Sequence, residues 1–270
     1  AYSSINDNKV TVEESDMKAK YEELKPRFKQ YEETRAIKYV DFQVVPSTAD
    51  RTALNKTVNE YAKTLREAAD PSEAVRKSGS LVTYLGIPQT KAAFPYDIAA
   101  RLDSIAVGTT TAPVENKQDN TLNIVRLISK AQLPDSVQFR AIQVGGATPE
   151  EAVKRADSIY VALNGGADFE VLAKKYGQTG EKTWITSAQY QNAPSMDADT
   201  KAYIESLNTM GVNETKNLKM TQGNIIMQVT DRKGMTEKYV AAVIKKPIEF
   251  TKNTYSAAYN KFSQFVSESQ

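Results

Sequence analysis

The chain has 270 residues, with 35 Lys+Arg against 33 Asp+Glu for a net charge of +2, and contains neither Cys nor His. Those two zeros exclude disulfides, thiolate nucleophiles, a Ser-His-Asp triad, a histidine zinc site and any imidazole acid–base group near pH 7. Apolar types make up 40% and charged types 25%, an ordinary globular balance with room for one large or two smaller domains, and the near-neutral charge argues against nucleic acid as a partner.

Along the chain, Thr11 to Thr34 reads as a helix, with a capping box from Thr11 to Glu14 and an apolar stripe of Met17, Tyr21, Leu24, Phe28 and Tyr31 that Pro26 kinks or splits. Ala36 to Val45 has a strand's β-branched and aromatic bias, closed by Pro46. A helix from Ala49 to Ala69 follows, then a short one after Asp70-Pro71, loop and strand over Gly79 to Ile87, a helix from Ala99 to Ile105 and a strand from Thr121 to Ser129.

The pattern then restarts. Val137 to Val144 is strand-like, and Thr148-Pro149-Glu150-Glu151 is a strong helix start: a capping hydroxyl, proline in the first turn and carboxylates at the positive end of the dipole. Gly165-Gly166 stops that helix, Asp168 to Tyr176 forms a second, Thr183 to Thr186 a strand, Asp199 to Met210 a helix and Gly223 to Thr230 a strand. Tyr239 to Phe250 is β-rich, and Thr251 to Glu268 reads as a helix with Tyr255, Ala258, Phe262 and Phe265 on one face.

The halves repeat with a spacing of about 100 residues. Phe42-Gln43-Val44 matches Ile142-Gln143-Val144, Tyr84-Leu85 matches Trp184-Ile185, and Asn123-Ile124-Val125 matches Asn224-Ile225-Ile226. The class is α+β, with two tandem domains of one fold. Expected boundaries are 1–35 for an N-terminal helical segment, 36–134 and 135–235 for the two domains, and 236–270 for a closing strand and helix.

No cofactor or metal is indicated, since no phosphate-binding glycine loop or dinucleotide fingerprint occurs. Asp197-x-Asp199 begins like a calcium loop, but Lys201 and Ala202 stand where an oxygen ligand and a glycine belong. Adjacent carboxylates such as Glu22-Glu23 point apart on a helix and are solvated faces. No run approaches the ~18 apolar residues needed to cross a bilayer. With Ala rather than Met at its start and no signal sequence, the chain is expected to be a processed or excised segment.

Asn164-Gly-Gly-Ala-Asp-Phe-Glu-Val-Leu-Ala-Lys-Lys-Tyr-Gly177 resembles the "GADFxxLAKKYS" segment of parvulin-type peptidyl-prolyl isomerases. The order around it fits too: a strand from Phe139 to Val144, a long helix, this segment, a strand with Trp184, a helix ending near Met210-Gly-Val-Asn-Glu214 and a strand Asn224-Ile-Ile-Met-Gln-Val229. The first half looks like a more diverged copy, and the flanking helices resemble those of envelope chaperones of the SurA and PpiD kind. The resemblance implies a protein-folding factor of the periplasm or cell envelope, with unfolded or extended polypeptides as clients and any membrane anchor outside this stretch.

Active parvulins carry a His in the first strand, another in the last and an Asp or Cys between them. By resemblance these positions fall on Ala141, Asn224 and Glu181 in the second domain and on Asp41, Asn123 and Leu81 in the first, so both histidine positions are empty in both. The expectation is a domain that docks apolar or proline-containing segments with little or no isomerase activity; an isomerase using a non-histidine site and a structural docking module are the alternatives. Groove candidates are Trp184, Pro194, Met196, Tyr203, Ile204 and Leu207 in the second domain and Tyr84, Phe94, Ile98 and Leu102 in the first. Helical spacing favours a core role for Leu102, Ile204 and Leu207, while core and groove stay open for Trp184, Met196, Tyr84 and Phe94.

Overall fold

The computed structural model describes residues 11–37 and 39–269. The chain divides into two compact units, Ala1–Gln43 and Val44–Gln270. Residues 1–10 of the expected N-terminal segment lie outside the described residues.

In the first unit, helix α1 spans Glu14–Leu24. Its cap is Glu13, whose backbone N–H donates to the Asp16 carboxylate at 3.1 Å, so the box lies two residues later than the Thr11–Glu14 pair suggests. Proline lacks an N–H and clashes with the preceding turn, so at Pro26 the α-helix gives way to a tighter 3-10 turn over Lys25–Phe28, well short of Thr34. The apolar stripe is not buried: Met17, Tyr21, Phe28 and Tyr31 are all exposed. No strand forms at the described residues between Ala36 and Val45.

The second unit opens with α2, Thr48–Glu67. Ser47 caps it, accepting from the Asp50 N–H at 3.2 Å while the Asp50 carboxylate accepts from the Ser47 N–H at 2.8 Å. The same buried carboxylate accepts from Thr251 at 2.7 Å and Thr254 at 2.6 Å, which ties α2 to the start of the last helix. These hydrogen bonds, Thr254 first, hold Asp50 far below the usual carboxylate range. Next is α3, Ser72–Ser78, ended by Gly79 at φ +62°, a left-handed turn that glycine enters without strain. Residues 80–89 form no strand, but they run beside the sheet, with the Leu81 N–H on the Lys245 carbonyl at 2.9 Å and Gln89 bridged to Tyr239. The helix expected from Ala99 to Ile105 is instead α4, Tyr96–Ala99, and a 3-10 turn at Leu102–Ser104.

The sheet contains β1 (Val114–Asn116), β2 (Thr121–Val144), β3 (Thr183–Thr186), β4 (Thr215–Lys219) and β5 (Asn224–Pro247). It is antiparallel throughout in the order β1-β2-β5-β4, with β3 also beside β2. Between these strands lie α5 (Pro149–Asn164, capped by Thr148), α6 (Phe169–Lys175, capped by Asp168) and α7 (Ala198–Thr209, capped by Asp197); α8 (Lys252–Glu268) closes the chain. The α+β class follows directly.

Strands β2 and β5 are each 24 residues long, against about five or six for an ordinary strand, and pair along their whole length. The separate strands expected at Thr121 to Ser129 and Val137 to Val144 are one strand, as are Gly223 to Thr230 and the β-rich stretch from Tyr239. The expected boundaries at 134/135 and 235/236 therefore fall inside continuous strands, where Pro134 pairs with Met235. Thr121–Leu127 pairs with residues 241–247, so the closing stretch belongs to the sheet.

Four apolar clusters cover the two ends of this ribbon. At the 121–127 end, Leu122 and Ile124 pack under α2 and α3, while Val125 and Leu127 pack with Phe94, Ile98 and Leu102. At the 137–144 end, Ile142 and Val144 pack under α5 and α6, while Val137 and Met227 pack under α7. Each such fully buried aliphatic side chain contributes about 1.5–3 kcal/mol. Among the described residues, no helix is long and apolar enough to cross a membrane.

Candidate functional site

At the 137–144 end, strand alternation sends Phe139 and Ala141 of β2 to one face, together with their β5 partners Val229 and Met227 and the next alternate residue, Ile225. Helix α7 lies over that face. Ile204 and Leu207 are buried in its core, and Tyr203, Met196, Phe139, Ala141 and Ile225 are half-buried around it. The Tyr203 ring meets Phe139 edge-on, with centroids 5.7 Å apart and planes at 83°. Asp197 fixes the start of α7 by accepting from the Thr200 N–H at 2.7 Å, and Asp199 accepts from the Thr221 N–H at 2.8 Å in the β4–β5 turn. A cleft of about 650 Å³ adjoins, lined by Gln143, Ile225, Asp197, Asp199 and Met220 among others.

Of the positions carried over from active parvulins, Ala141 lies on this face. Asn224 does not: it pairs with Val144, shares the opposite face with Ile142 and Ile226, and donates to the Asn217 side chain at 2.8 Å. The β5 residue that shares Ala141's face at this end is Ile225. Glu181 is exposed, two residues before β3.

At the 121–127 end, Asn123 is fully buried opposite Lys245. It accepts from the Arg101 guanidinium and donates to Asp97 at 3.1 Å. The Lys245 ammonium reaches Asp97 at 2.9 Å and Asp119 at 2.6 Å. Burial alone pulls Lys245 down, but Asp119 and Asp97 outweigh it, so the group lies above its ordinary value. Leu81 is exposed in the loop, and Asp41 is exposed in the first unit.

The groove candidates separate in the same way. Met196 and Tyr203 stand on the α7 face. Trp184 pairs with Gln138 and so faces away from it, with the Lys233 ammonium 4.5 Å over its ring; its neighbour Ile185 takes the inward position. Pro194 is exposed in the preceding loop. Tyr84 packs on the α2–α3 cluster, where burial, with Asp70 nearby, raises its hydroxyl to about 12. Phe94, Ile98 and Leu102 are core, as are Ile204 and Leu207. Phe139 and Ile225 are the shelf residues that helical spacing passed over; the two-residue alternation of their strands was the available signal.

This arrangement is a rigid apolar shelf, able to receive a proline ring or an apolar side chain, on a chain with no imidazole or thiol. Residues 122–233, less than half of the chain, match the family model described as "PPIC-type PPIASE domain". The match takes in the near-whole of β2 and ends within β5. The chain is also similar to the crystal structure of PrsA from Bacillus subtilis, with 17% identity and a TM-score of 0.29 over 84% of this chain and 64% of that one. It thus spans under two thirds of that protein's length. No curated protein matches the chain.

Proposed function

We propose that this chain is a foldase-type module that holds unfolded or proline-containing polypeptide segments with little or no prolyl isomerisation, as part of a folding factor of the periplasm or cell envelope. The parvulin-type match over residues 122–233, joined to an apolar shelf that includes Ala141 and Ile225 on a chain without histidine, supports this reading. Prolyl isomerisation breaks no covalent bond; its barrier of about 18–20 kcal/mol is amide resonance, and turnover requires a preorganised polar environment for the twisted amide. A half-buried apolar shelf binds without supplying that environment. The 100-residue repeat is read as two diverged copies drawn into one sheet, of which the second retains the docking face.

Two measurements on the full chain test this. A protease-coupled prolyl peptide assay is expected to show no acceleration, and clear acceleration would establish a non-histidine isomerase. Suppression of aggregation of denatured, reduced lysozyme is expected at a few-fold excess; its absence would leave a structural docking module.

A further inference from the structure

The large tyrosines buried along the ribbon have their hydroxyls accounted for. Tyr190 accepts from Lys238 at 3.0 Å and from Asn208 at 3.2 Å, and Tyr239 faces the Asp103 and Glu237 carboxylates. A phenol removed from water normally finds such a partner. The Tyr203 hydroxyl has none among the described residues: its oxygen stays open to solvent at the edge of the shelf, while burial of the rest of the side chain pushes the group up to about 12. Its ring is clamped by Phe139 on the face that carries Ala141, Met196 and Ile225.

We infer that the Tyr203 hydroxyl is the shelf's hydrogen-bond donor for a main-chain carbonyl of a bound polypeptide, in particular the carbonyl preceding proline. The inference rests on the client-binding reading above and names the contact that orients the client. The phenol stays protonated across the neutral range, so it donates at every relevant pH. Donation to the carbonyl oxygen strengthens the amide's C–N double-bond character rather than weakening it. The same contact that adds affinity therefore opposes rotation, as befits a site that holds rather than turns over. Tyr203 is thus a positioning residue for the client.

The test uses the full chain, isothermal titration and two probes: a succinyl-Ala-Phe-Pro-Phe peptide and its analogue with the Phe–Pro carbonyl oxygen replaced by sulfur, a weaker acceptor. Wild type is expected to prefer the oxygen peptide severalfold. Tyr203→Phe is expected to bind it about five- to tenfold more weakly, with the preference gone and the thermal midpoint unchanged. Tyr160→Phe, altered on the opposite face, is expected to match wild type. Equal oxygen-peptide affinity of wild type and Tyr203→Phe would overturn the role of Tyr203 and leave client binding standing, whereas no binding by wild type would overturn client binding and this inference with it. Should Tyr203→Phe fail to fold, the wild-type oxygen-over-sulfur preference decides alone, and its absence would overturn the assignment.

Discussion

At one end of the β2–β5 ribbon, Asn123 and Lys245 face each other within a set of mutually paired polar and charged groups with Asp97, Arg101 and Asp119. At the other, Ala141 and Met227 face each other on an apolar shelf whose rim of Phe139, Met196, Tyr203 and Ile225 is only half-buried. Both ends share the same two strands, so the difference lies in side chains rather than in backbone. In the first, Asn123, Lys245, Asp97 and Arg101 are spent on one another, with Asp119 at the solvent edge of the set. In the second, apolar surface and one phenol remain unmatched. The comparison teaches that the proposed docking end is the one that leaves apolar surface open, while the charged set ties its own end of the ribbon together.

The largest expected effect breaks the charged end. Lys245→Met leaves Asp97 and Asp119 facing each other without their cation, and loss of one partner from a buried ionic set costs about 3–5 kcal/mol. The low end of that range is expected, because the Asp119 side chain is 43% exposed. Urea unfolding should show it, while peptide affinity of the folded fraction stays at the wild-type value. An unchanged unfolding midpoint would mean that the network is not what stabilises this end.

The second prediction sharpens the docking end. If absent imidazoles limit turnover, Ala141→His combined with Ile225→His places two histidines on one face of adjacent strands. The protease-coupled assay should then gain on the order of ten- to a hundredfold over wild type. Ala141→His with Asn224→His should gain nothing, because Asn224 faces α5 and α6. Equal behaviour of the two pairs would break the face assignment.

The choice between Asn224 and Ile225 also shows what the sequence could and could not reveal. The caps at Thr148 and Asp168 and the strand Thr183–Thr186 were legible because their signals are local: a hydroxyl or carboxylate facing the helix amides, and β-branched residues between turns. A one-residue slip in a strand moves a side chain to the other face, and nothing in the string Asn224-Ile225-Ile226 reveals its partner register. The joining of strands was hidden for a related reason. Ser129–Leu133 and Lys233–Glu237 are exposed or half-buried, so hydrophobic alternation fades there while backbone pairing continues. Ala36 to Val45 carries as strong a strand bias as Thr121 to Ser129, yet residues 241–247 hold the pairing edge of the latter, and a distant choice of partner leaves no local mark.

A third, smaller effect concerns acid. Asp103 is held down to about 2, first by the Lys91 ammonium and then by the Tyr239 hydroxyl, against an ordinary 3.8. A folded-state value below the unfolded one means the stabilisation is present above about pH 4 and is lost as pH falls toward about 2. Urea midpoints measured across that window should drop more steeply for wild type than for Asp103→Asn. Parallel curves would place the acid sensitivity elsewhere.

The smallest effect tests the outward side of the docking end. Lys233→Ala removes the ammonium over Trp184, a contact worth about 0.5–1 kcal/mol where it meets solvent. Trp184 is the sole tryptophan, so its emission reports this one site. The substitution should change the emission and lower stability slightly, with peptide affinity unaltered, because Trp184 and Tyr203 stand on opposite faces of the sheet. For the same reason, saturating wild type with the proline peptide should leave Trp184 as accessible to iodide quenching as before. Strong protection of the indole by bound peptide would show that clients wrap around the β3 edge, and the docking end would then present two working faces instead of one.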